Sequence, residues 1–302
     1  MGKLITIYKR TEGLNNVAAP IRLPFNADTG IVDLTEAYNV DIDRSGRLSR
    51  VKGITATGRT EDSNSIFCEG GECLYISGTA LYRLNTDYSR TGIRSSLTAN
   101  KKMYYAQVGN RIYYSNGAER GYVVDGVSYT WAASTYYGPA TFKIFSDPPY
   151  GTILCLHGSR IYMVVDDVLW YSEPFAYGWF DMARNFIPFS SKIRMVRSVK
   201  DGMYVGDDTG VTYLGGMSPK EFTFSRVSDS VPIEGTDVSI SGLEIRDDAV
   251  YAKVVIWTAQ DGICLGLPGG EVKNLTKNKV TYPSSQLGSA AVLTDKYLTL
   301  LQ

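Results

Sequence analysis

The chain has 302 residues, of which 44% are hydrophobic and 21% are charged, so the sequence can bury a sizeable core and is not of the disordered class. Thirty-one Lys and Arg residues balance 31 Asp and Glu residues, which excludes a strong overall attraction to nucleic acid or to an anionic membrane. Tyr (22 residues) and Gly (30 residues) are plentiful, and this composition favours strands and tight turns over helices.

The first 30 residues differ from the rest of the chain and are predicted to form an extended arm. A short strand at Leu4–Tyr8 is followed by the turn-rich sequence GLNNVAAP, and Pro20 and Pro24 favour extended geometry in the residues before them. The apolar stretch at the N-terminus is too short for a signal peptide, and no run reaches the roughly 18 apolar residues that span a bilayer. We therefore expect a soluble chain that is made in a cytoplasm and has no membrane partner.

From residue 31 onward, one hairpin motif recurs along the chain. A first hairpin is predicted at 38–51, with its turn at Ser45-Gly46. The motif is clearest at 158–216, where the pattern occurs twice in succession. The pattern consists of a small polar turn, an apolar strand, an acidic turn and a second apolar strand. The spacings between the centres of successive copies are 38, 49, 42, 60 and 33 residues, which scatter around the roughly 40–50 residues of a four-stranded propeller blade. These centres are Tyr75, Tyr113, Tyr162, Tyr204, Cys264 and Tyr297.

The repetition predicts an all-β fold, namely a β-propeller of five to six blades at residues 31–302 that follows the arm at residues 1–30. We expect the propeller to close by pairing an N-terminal strand with the run from Ala291 to Leu301, because closure removes exposed strand edges. A β-sandwich with several similar hairpins is the alternative fold, although a sandwich gives no reason for one motif to restart.

Residue types that serve catalysis or metal binding are sparse. The single histidine, His157, precedes a predicted turn, and Cys155 is a neighbour on its own strand rather than an aimed nucleophile. Cys155 and Cys264 lie in apolar strand patterns, where a thiol is usually a small hydrophobe, and Cys68 and Cys73 are close enough to be neighbours on one hairpin. We expect no disulfide scaffold and no closed zinc site. The predicted sites are therefore catalytic none, metal none and cofactor none.

Charged clusters are assigned to structural roles. Asp pairs at 166–167, 207–208 and 247–248 fall where hairpin turns are expected, and Asp is a preferred turn residue. The basic residues between Lys192 and Lys200 are interpreted as the solvated face of a strand. No phosphate-binding loop, nucleophile elbow or zinc-binding helix motif is present. We therefore predict that the chain is not an enzyme.

The strongest local signal is the aromatic segment at 170–189, which has six aromatic residues within its first twelve. Aromatic side chains dominate the centres of protein interfaces, so the segment predicts a contact with a neighbouring subunit. The alternative is a loop that covers the edge of its own blade. The predicted interface residues are Trp170, Phe175, Tyr177, Trp179 and Phe180.

Four segments together resemble a family of tailed-bacteriophage virion structural proteins, the β-propeller nozzle and tail-tube components of short-tailed phages. They are GLNNVAAPIRLP at 13–24, EAYNVDIDRSGRLSRVKG at 36–53, WYSEPFAYGWFDMARNFIPF at 170–189 and VKDGMYVGDDTGVTYLGG at 199–216. The resemblance implies a virion protein of the tail or neck that forms a homo-oligomeric ring and docks on portal, adaptor or tube proteins. It also implies a part in the DNA-ejection conduit, through which DNA passes without specific binding.

Two other functions stay open at this point. One is a receptor- or glycan-binding β-propeller of the virion, in which aromatic loops stack on sugars. The other is a hydrolase that uses acidic side chains such as Glu173 and Asp181, because glycosidases work with paired carboxylates.

Overall fold

The structure is a computed structural model that describes residues 10–23, 25–26, 30–43, 45–53, 62–69, 71–133, 145–241, 253–293 and 296–302. Its regular elements are strands, apart from two short 3-10 helices, η1 (Pro20–Arg22) and η2 (Pro268–Gly270). The N-terminal strands are β1 (Arg10–Leu14), β2 (Phe25–Asn26), β3 (Ile31–Leu34), β4 (Val40–Ile42) and β5 (Leu48–Arg50).

Five sheets follow, each a meander of four consecutive antiparallel strands, and we name them blades one to five. Blade one has β6 (Ser63–Glu69), β7 (Glu72–Ser77), β8 (Ala80–Leu84) and β9 (Arg90–Arg94). Blade two has β10 (Tyr104–Val108), β11 (Arg111–Ser115), β12 (Arg120–Val124) and β13 (Val127–Tyr129). Blade three has β14 (Thr152–His157), β15 (Arg160–Val165), β16 (Val168–Tyr171) and β17 (Phe186–Pro188).

Blade four has β18 (Ile193–Val199), β19 (Gly202–Asp207), β20 (Gly210–Gly215) and β21 (Thr223–Ser228). Blade five has β22 (Val238–Ser241), β23 (Lys253–Ala259), β24 (Gly262–Gly266) and β25 (Val272–Asn274). The C-terminal pair β26 (Gly288–Leu293) and β27 (Lys296–Leu301) forms a two-stranded sheet, which we call the C-terminal ribbon.

The apolar core lies between consecutive blades. The first strands of neighbouring blades contact one another, whereas fourth strands such as β21 are largely exposed. Packing blade face against blade face in chain order, with one strand of each near the centre, is the architecture of a β-propeller. The prediction of an all-β propeller is therefore confirmed. The pairs that represent the successive cores are Leu81–Ile112, Tyr113–Ile161, Val164–Val196, Tyr204–Trp257 and Leu265–Val292.

A cross-strand tyrosine pair repeats in blades one to four. In each of these blades one Tyr of the second strand stands directly opposite one Tyr of the third strand, with ring centroids 5.1 to 5.7 Å apart. Opposed aromatic side chains stabilise antiparallel pairing, so the repeated Tyr of the sequence motif marks the second strand of a blade. The pairs are Tyr75–Tyr82, Tyr113–Tyr122, Tyr162–Tyr171 and Tyr204–Tyr213.

The last two sequence repeats were placed wrongly. In blade five the position equivalent to Tyr204 is held by Trp257 of β23, which stands opposite Cys264 of β24. The repeat centred on Cys264 is therefore displaced by one strand, because Asp261-Gly262 forms the second hairpin turn of its blade rather than the first. Tyr297 lies in the C-terminal ribbon and not in a four-stranded sheet.

The two chain ends come together in what we call the end sector, which is the described part of residues 10–53 and 276–302. β1 and β3 pair in parallel, so the predicted boundary at residue 30 falls inside their sheet. The predicted 38–51 hairpin is β4–β5, a sheet of two strands. The run from Ala291 to Leu301 pairs with itself as the C-terminal ribbon, and the predicted N-terminal strand at Leu4–Tyr8 lies outside the described residues.

Several smaller expectations from the sequence are met. Asp166-Asp167 is the β15–β16 turn, and Asp166 adopts a φ of 53°, a conformation that Asp tolerates. Asp207 accepts the backbone N–H of Thr209 at 2.8 Å, as a turn-forming Asp does. The pair at 247–248 lies outside the described residues. A single disulfide joins two opposed residues of the β6–β7 hairpin, and the other two cysteines are buried thiols; these are Cys68–Cys73, Cys155 and Cys264.

Candidate functional site

Polar side chains join the two halves of the end sector. The Asn16 N–H donates to the Lys279 carbonyl at 2.9 Å, and the Thr281 N–H donates to the Asn16 side chain at 2.8 Å. Lys279 Nζ also lies 3.9 Å from the buried carboxylate of Asp33. A further ion pair links Lys296 of β27 to Asp41 of β4. These polar contacts hold the described N-terminal strands against the C-terminal segment.

One face of the C-terminal ribbon packs on blade five. The Tyr297 hydroxyl donates to the Thr236 carbonyl at 2.6 Å and lies 2.9 Å from the hydroxyl of Thr258. Val292 and Tyr297 also pack against the apolar cluster of Ile256 and Leu265. Side chains alternate across a strand, so the neighbouring residues of the ribbon must face away from blade five.

The outer face of the ribbon is exposed and mostly apolar, with Ser289 and Lys296 as its polar members. Leu293, Leu298 and Leu300 are 64%, 50% and 64% exposed, and the register places Ala291 opposite Leu298 on this same face. Elsewhere in the end sector, large apolar side chains such as Ile21 are also exposed. Exposed apolar side chains that share one face are typical of a surface that binds another protein. We call Ala291, Leu293, Leu298 and Leu300 the ribbon face.

The five aromatic residues predicted as an interface do not share one environment. Phe180 is fully buried and packs edge-on against Trp131, so it is not available to a partner, and this part of the predicted contact is wrong. Trp170 is half-buried and lies beside Phe186 of the same blade, with ring centroids 5.3 Å apart. Trp179 is half-buried too.

The remaining two aromatic residues, Tyr177 and Phe175, differ from each other in exposure. Tyr177 is half-buried, and its carbonyl accepts the Trp131 indole N–H at 2.8 Å, which ties the segment to blade two. Phe175, by contrast, is 77% exposed and has a φ of 58°. The segment therefore covers its own chain over most of its length, and it presents Phe175 and, to a smaller extent, Phe186 (41% exposed) to solvent.

A polar cluster lies where blades two, four and five approach the centre of the propeller. Tyr104 of β10 donates to Glu234 Oε1 at 2.6 Å, and Lys192 Nζ lies 3.6 Å from Glu234 Oε2. Arg197 of β18 donates from Nε to Asp237 Oδ2 at 2.5 Å and from Nη2 to the Asp237 carbonyl. Tyr104 belongs to blade two and Glu234 to the connection between β21 and β22, so this hydrogen bond joins parts of the chain that are not consecutive blades.

The charges of this central cluster are matched to one another. Burial lowers the pKa of Lys102, although Asp237 and Glu234 act in the opposite direction. Burial also opposes the charge of Arg197, but the Asp237 carboxylate outweighs it and raises the pKa of the guanidinium. Burial together with Glu234 raises the pKa of Tyr104, which stays a neutral donor. The cluster therefore connects blades through compensated charges.

This cluster is what the sequence reasoning missed. The basic residues between Lys192 and Lys200 were interpreted as a solvated strand face, yet Arg197 pairs with a carboxylate that is 8% exposed. Arg194 likewise pairs with Asp208 of its own blade. The partner acids Glu234 and Asp237 sit about 40 residues away in a segment without a motif, so no local signal connects them to β18.

The residues considered for chemistry have structural partners. His157 Nε2 donates to the Gly216 carbonyl at 2.8 Å, and its Nδ1 lies 2.9 Å from the Ser198 hydroxyl. Glu173 lies 3.8 Å from Arg160, and buried Asp181 accepts the Ala183 N–H at 3.1 Å. In the described part of the chain, no group of three or more His, Cys, Asp or Glu side chains is placed to hold a metal ion. Nor does any helix of the described residues have the length and apolar character to cross a membrane.

Comparison with known proteins identifies no family for this chain. No protein-family model matches the sequence, and no curated protein matches it. Similar solved structures include virginiamycin B lyase from Staphylococcus aureus, with 9% identity, a TM-score of 0.49, and coverage of 92% of this chain and 90% of that chain. A streptogramin B lyase has 10% identity, a TM-score of 0.45, and coverage of 78% and 74%.

A third similar structure is the extracellular domain of a putative hybrid two-component system from B. thetaiotaomicron. It has 15% identity and a TM-score of 0.46, and the match covers 79% of this chain but only 30% of that chain. None of the three is a virion protein. At these scores the similarities concern architecture and carry no argument about function.

The prediction that the chain is not an enzyme is corrected by these comparisons. Two of the similar structures are lyases, and these similarities assign no activity to this chain. The missing sequence motifs excluded particular enzyme classes, such as zinc hydrolases and nucleophile-elbow hydrolases, and not enzymes in general.

Proposed function

We propose that the chain is a structural subunit of a bacteriophage tail or neck, which assembles into a homo-oligomeric ring through the ribbon face. The observation that carries this proposal is the apolar outer face of the C-terminal ribbon, with Leu293 and Leu300 each 64% exposed. The resemblance of the segments at 13–24, 36–53, 170–189 and 199–216 to virion proteins supplies the setting.

The physical argument is that an apolar strand face gains free energy when a partner removes it from water, by roughly 25 cal/mol per Å² of apolar area. Among the described residues β27 pairs with β26 alone, so its other edge has no described strand beside it. An open edge beside an apolar face suits a second copy of the same chain, because head-to-tail contacts of one surface with another close into a ring.

The ring would stack on portal, adaptor or tube proteins and contribute to the conduit for DNA. Thirty-one basic residues against 31 acidic ones give no overall attraction to the phosphate backbone, so DNA would pass without being held. Within the central cluster the basic groups face carboxylates, as Arg197 faces Asp237, which is consistent with this role.

The test is a double substitution on the ribbon face, Leu298→Asp with Leu300→Asp. We expect the ring measured by sedimentation velocity or native mass spectrometry to dissociate, because buried interface anchors contribute about 2 kcal/mol or more, which is about 30-fold in Kd. The melting temperature of the monomer should stay unchanged. A matched control is Val127→Asp, which places the same charge on a side chain that is 50% exposed in β13.

Two results would overturn the proposal. One is a wild-type chain that stays monomeric at all concentrations tested, or a double variant that assembles like the wild type. The other is the absence of the chain from the protein inventory of purified virions, measured by mass spectrometry.

A further inference from the structure

A cavity of about 470 Å³ opens between the outer strands of blades one and two. Its size falls within the roughly 300–1,000 Å³ of typical small-molecule sites. β9 lines one side, and β13 with the turn before β12 lines the other. The lining residues that matter for recognition are Arg94, Glu119, Arg120, Thr130 and Tyr150.

Arg94 is anchored through one nitrogen only. Its Nη1 donates to the Tyr114 hydroxyl at 2.8 Å and to the Arg120 carbonyl at 2.9 Å. Within the described ranges, its Nε–H and Nη2–H have no hydrogen-bond partner, and no carboxylate forms an ion pair with it. Nε–H and Nη2–H form one edge of the guanidinium and point in parallel, which is the geometry that binds both oxygens of a carboxylate.

Arg120 supplies a second, more constrained cation. Its Nε donates to the Trp131 carbonyl at 3.0 Å and its Nη2 to Asp147 at 3.2 Å. The Tyr150 ring lies over this guanidinium at 4.1 Å, and Tyr150 is still 57% exposed. The ion pair and the stacking hold Arg120 in place, and Tyr150 itself lines the cavity.

The carboxylate of Glu119, the acidic residue of the cavity, already accepts hydrogen bonds from neighbouring side chains. Glu119 accepts the Thr98 hydroxyl at 2.5 Å and the Asn116 amide at 2.7 Å. Burial opposes ionisation, but these hydrogen bonds outweigh it and hold the pKa of Glu119 below its ordinary value. Glu119 is therefore an ionised, engaged carboxylate beside Arg94 and not its ion-pair partner.

We propose that this cavity binds a carboxylate-bearing saccharide, with the carboxylate on the open edge of Arg94 and the sugar ring against Tyr150. Tyr150 is 57% exposed, so it offers ring surface to the apolar face of a sugar. The Ser128 hydroxyl is engaged 2.6 Å from that of Tyr114, which leaves Thr130 as the lining residue whose hydroxyl can bond a sugar hydroxyl. This inference is independent of ring assembly, because the ribbon face takes no part in it.

The experiment is calorimetric titration of the whole chain with trigalacturonate, using its methyl ester as the uncharged control. We expect the acid to bind and the ester to bind at least about tenfold more weakly, because a hydrogen-bonded charge contributes about 1.5–3 kcal/mol. Arg94→Lys keeps the positive charge but removes the two parallel N–H groups, so it should weaken binding of the acid by a similar factor. Tyr150→Ala should weaken the binding of the acid and the binding of the ester by the same factor.

The matched control is Arg90→Lys, on the same strand but over the Tyr82 ring at 4.5 Å and outside the cavity lining. It should bind trigalacturonate like the wild type. Melting curves identify a variant that fails to fold, and if Arg94→Lys does so, Tyr150→Ala decides. The proposal is overturned if the acid does not bind at millimolar concentration, if the ester binds equally well, or if inorganic phosphate displaces the acid at equal concentration.

Discussion

In blades one to four the second strands are buried on both faces, whereas in the C-terminal ribbon every second side chain faces solvent. β19, for example, is buried along its whole length, from Gly202 to Asp207. β27 alternates between exposed and half-buried residues from Lys296 to Leu301. The two kinds of strand have similar apolar content, so the difference comes from the number of neighbours. In blades two to four a strand packs against a blade on either side, and the ribbon packs against blade five.

The comparison shows where this chain has unsatisfied apolar surface. A strand with water on one face normally alternates apolar and polar residues, so that its outer face is polar. The ribbon departs from this pattern, because Leu293, Leu298 and Leu300 occupy the outer positions. Its sequence is that of a strand with a neighbour on both faces, which is why we place the subunit contact there rather than on the aromatic segment.

The largest loss of unfolding free energy should come from a substitution in a buried blade strand, namely Tyr204→Ala in β19. Tyr204 is fully buried, donates to the Leu267 carbonyl and packs on Trp257 at 5.7 Å. Large-to-small changes in such cores cost about 3–5 kcal/mol of unfolding free energy. Denaturant titration measures it, and Tyr204→Phe, which removes only the hydroxyl, should cost about 1–3 kcal/mol. An alanine variant within 1 kcal/mol of wild type would contradict the assignment of a continuous core.

The aromatic segment allows a sharper test, because it contains both kinds of residue. Trp179 lies over Phe145 at 5.0 Å and is half-buried, so Trp179→Ala should lower the unfolding free energy of the monomer by about 1–2 kcal/mol. Phe175→Ala removes a side chain that is 77% exposed and should leave the monomer unchanged. Ring formation measured on both variants then decides the predicted contact. If Phe175→Ala leaves assembly intact, the segment covers its own chain and nothing more.

A pH effect should arise between blades three and four, where His157 is 3% exposed. Burial, partly offset by the Gly216 carbonyl, lowers the pKa of His157 below its ordinary value of 6.5. The unfolded chain therefore takes up a proton at higher pH than the folded chain. The stability contribution is present above about pH 6.5 and is lost as the pH falls toward the folded pKa.

The measurement is the unfolding free energy at several pH values between about 7.5 and 5.5. His157 is the only histidine of the chain, so no other histidine titrates in this window. His157→Gln keeps a donor for the Gly216 carbonyl and cannot be protonated, so its stability should depend less on pH. Equal slopes for the variant and the wild type would show that His157 does not titrate on unfolding.

The fold was predictable to the extent that it rests on local repetition. The strand and turn pattern around Tyr75, Tyr113, Tyr162 and Tyr204 identifies hairpins, because turn chemistry and alternation are properties of neighbouring residues. The prediction from this pattern was wrong at Cys264, because the turn at Asp261-Gly262 is the second hairpin turn of its blade and not the first.

The candidate sites were less predictable, since they depend on contacts between distant residues. Arg197 and Asp237 are 40 residues apart, and Tyr104 and Glu234 are 130 apart. Arg94 of blade one donates a hydrogen bond to the Tyr114 hydroxyl of blade two, and this contact forms one wall of the cavity. Nothing in the neighbourhood of any of these residues marks its partner. The exposure of Leu298 is likewise a consequence of which blade lies next to the ribbon, and a strand pattern does not report it.

The smallest effect should come from the ion pair between Lys296 and Asp41, which links the two halves of the end sector. Their side chains are 44% and 28% exposed, and exposed pairs contribute about 0.2–1 kcal/mol because water and salt screen them. We expect Lys296→Ala to lower the unfolding free energy by no more than that, and the difference should shrink at high salt. Lys200→Ala, at an exposed lysine without an ion pair in the described part of the chain, is the matched control. A loss above 2 kcal/mol would mean that the chain ends depend on this contact, and then the Asn16 hydrogen bonds and the packing on blade five would not be what holds the end sector together.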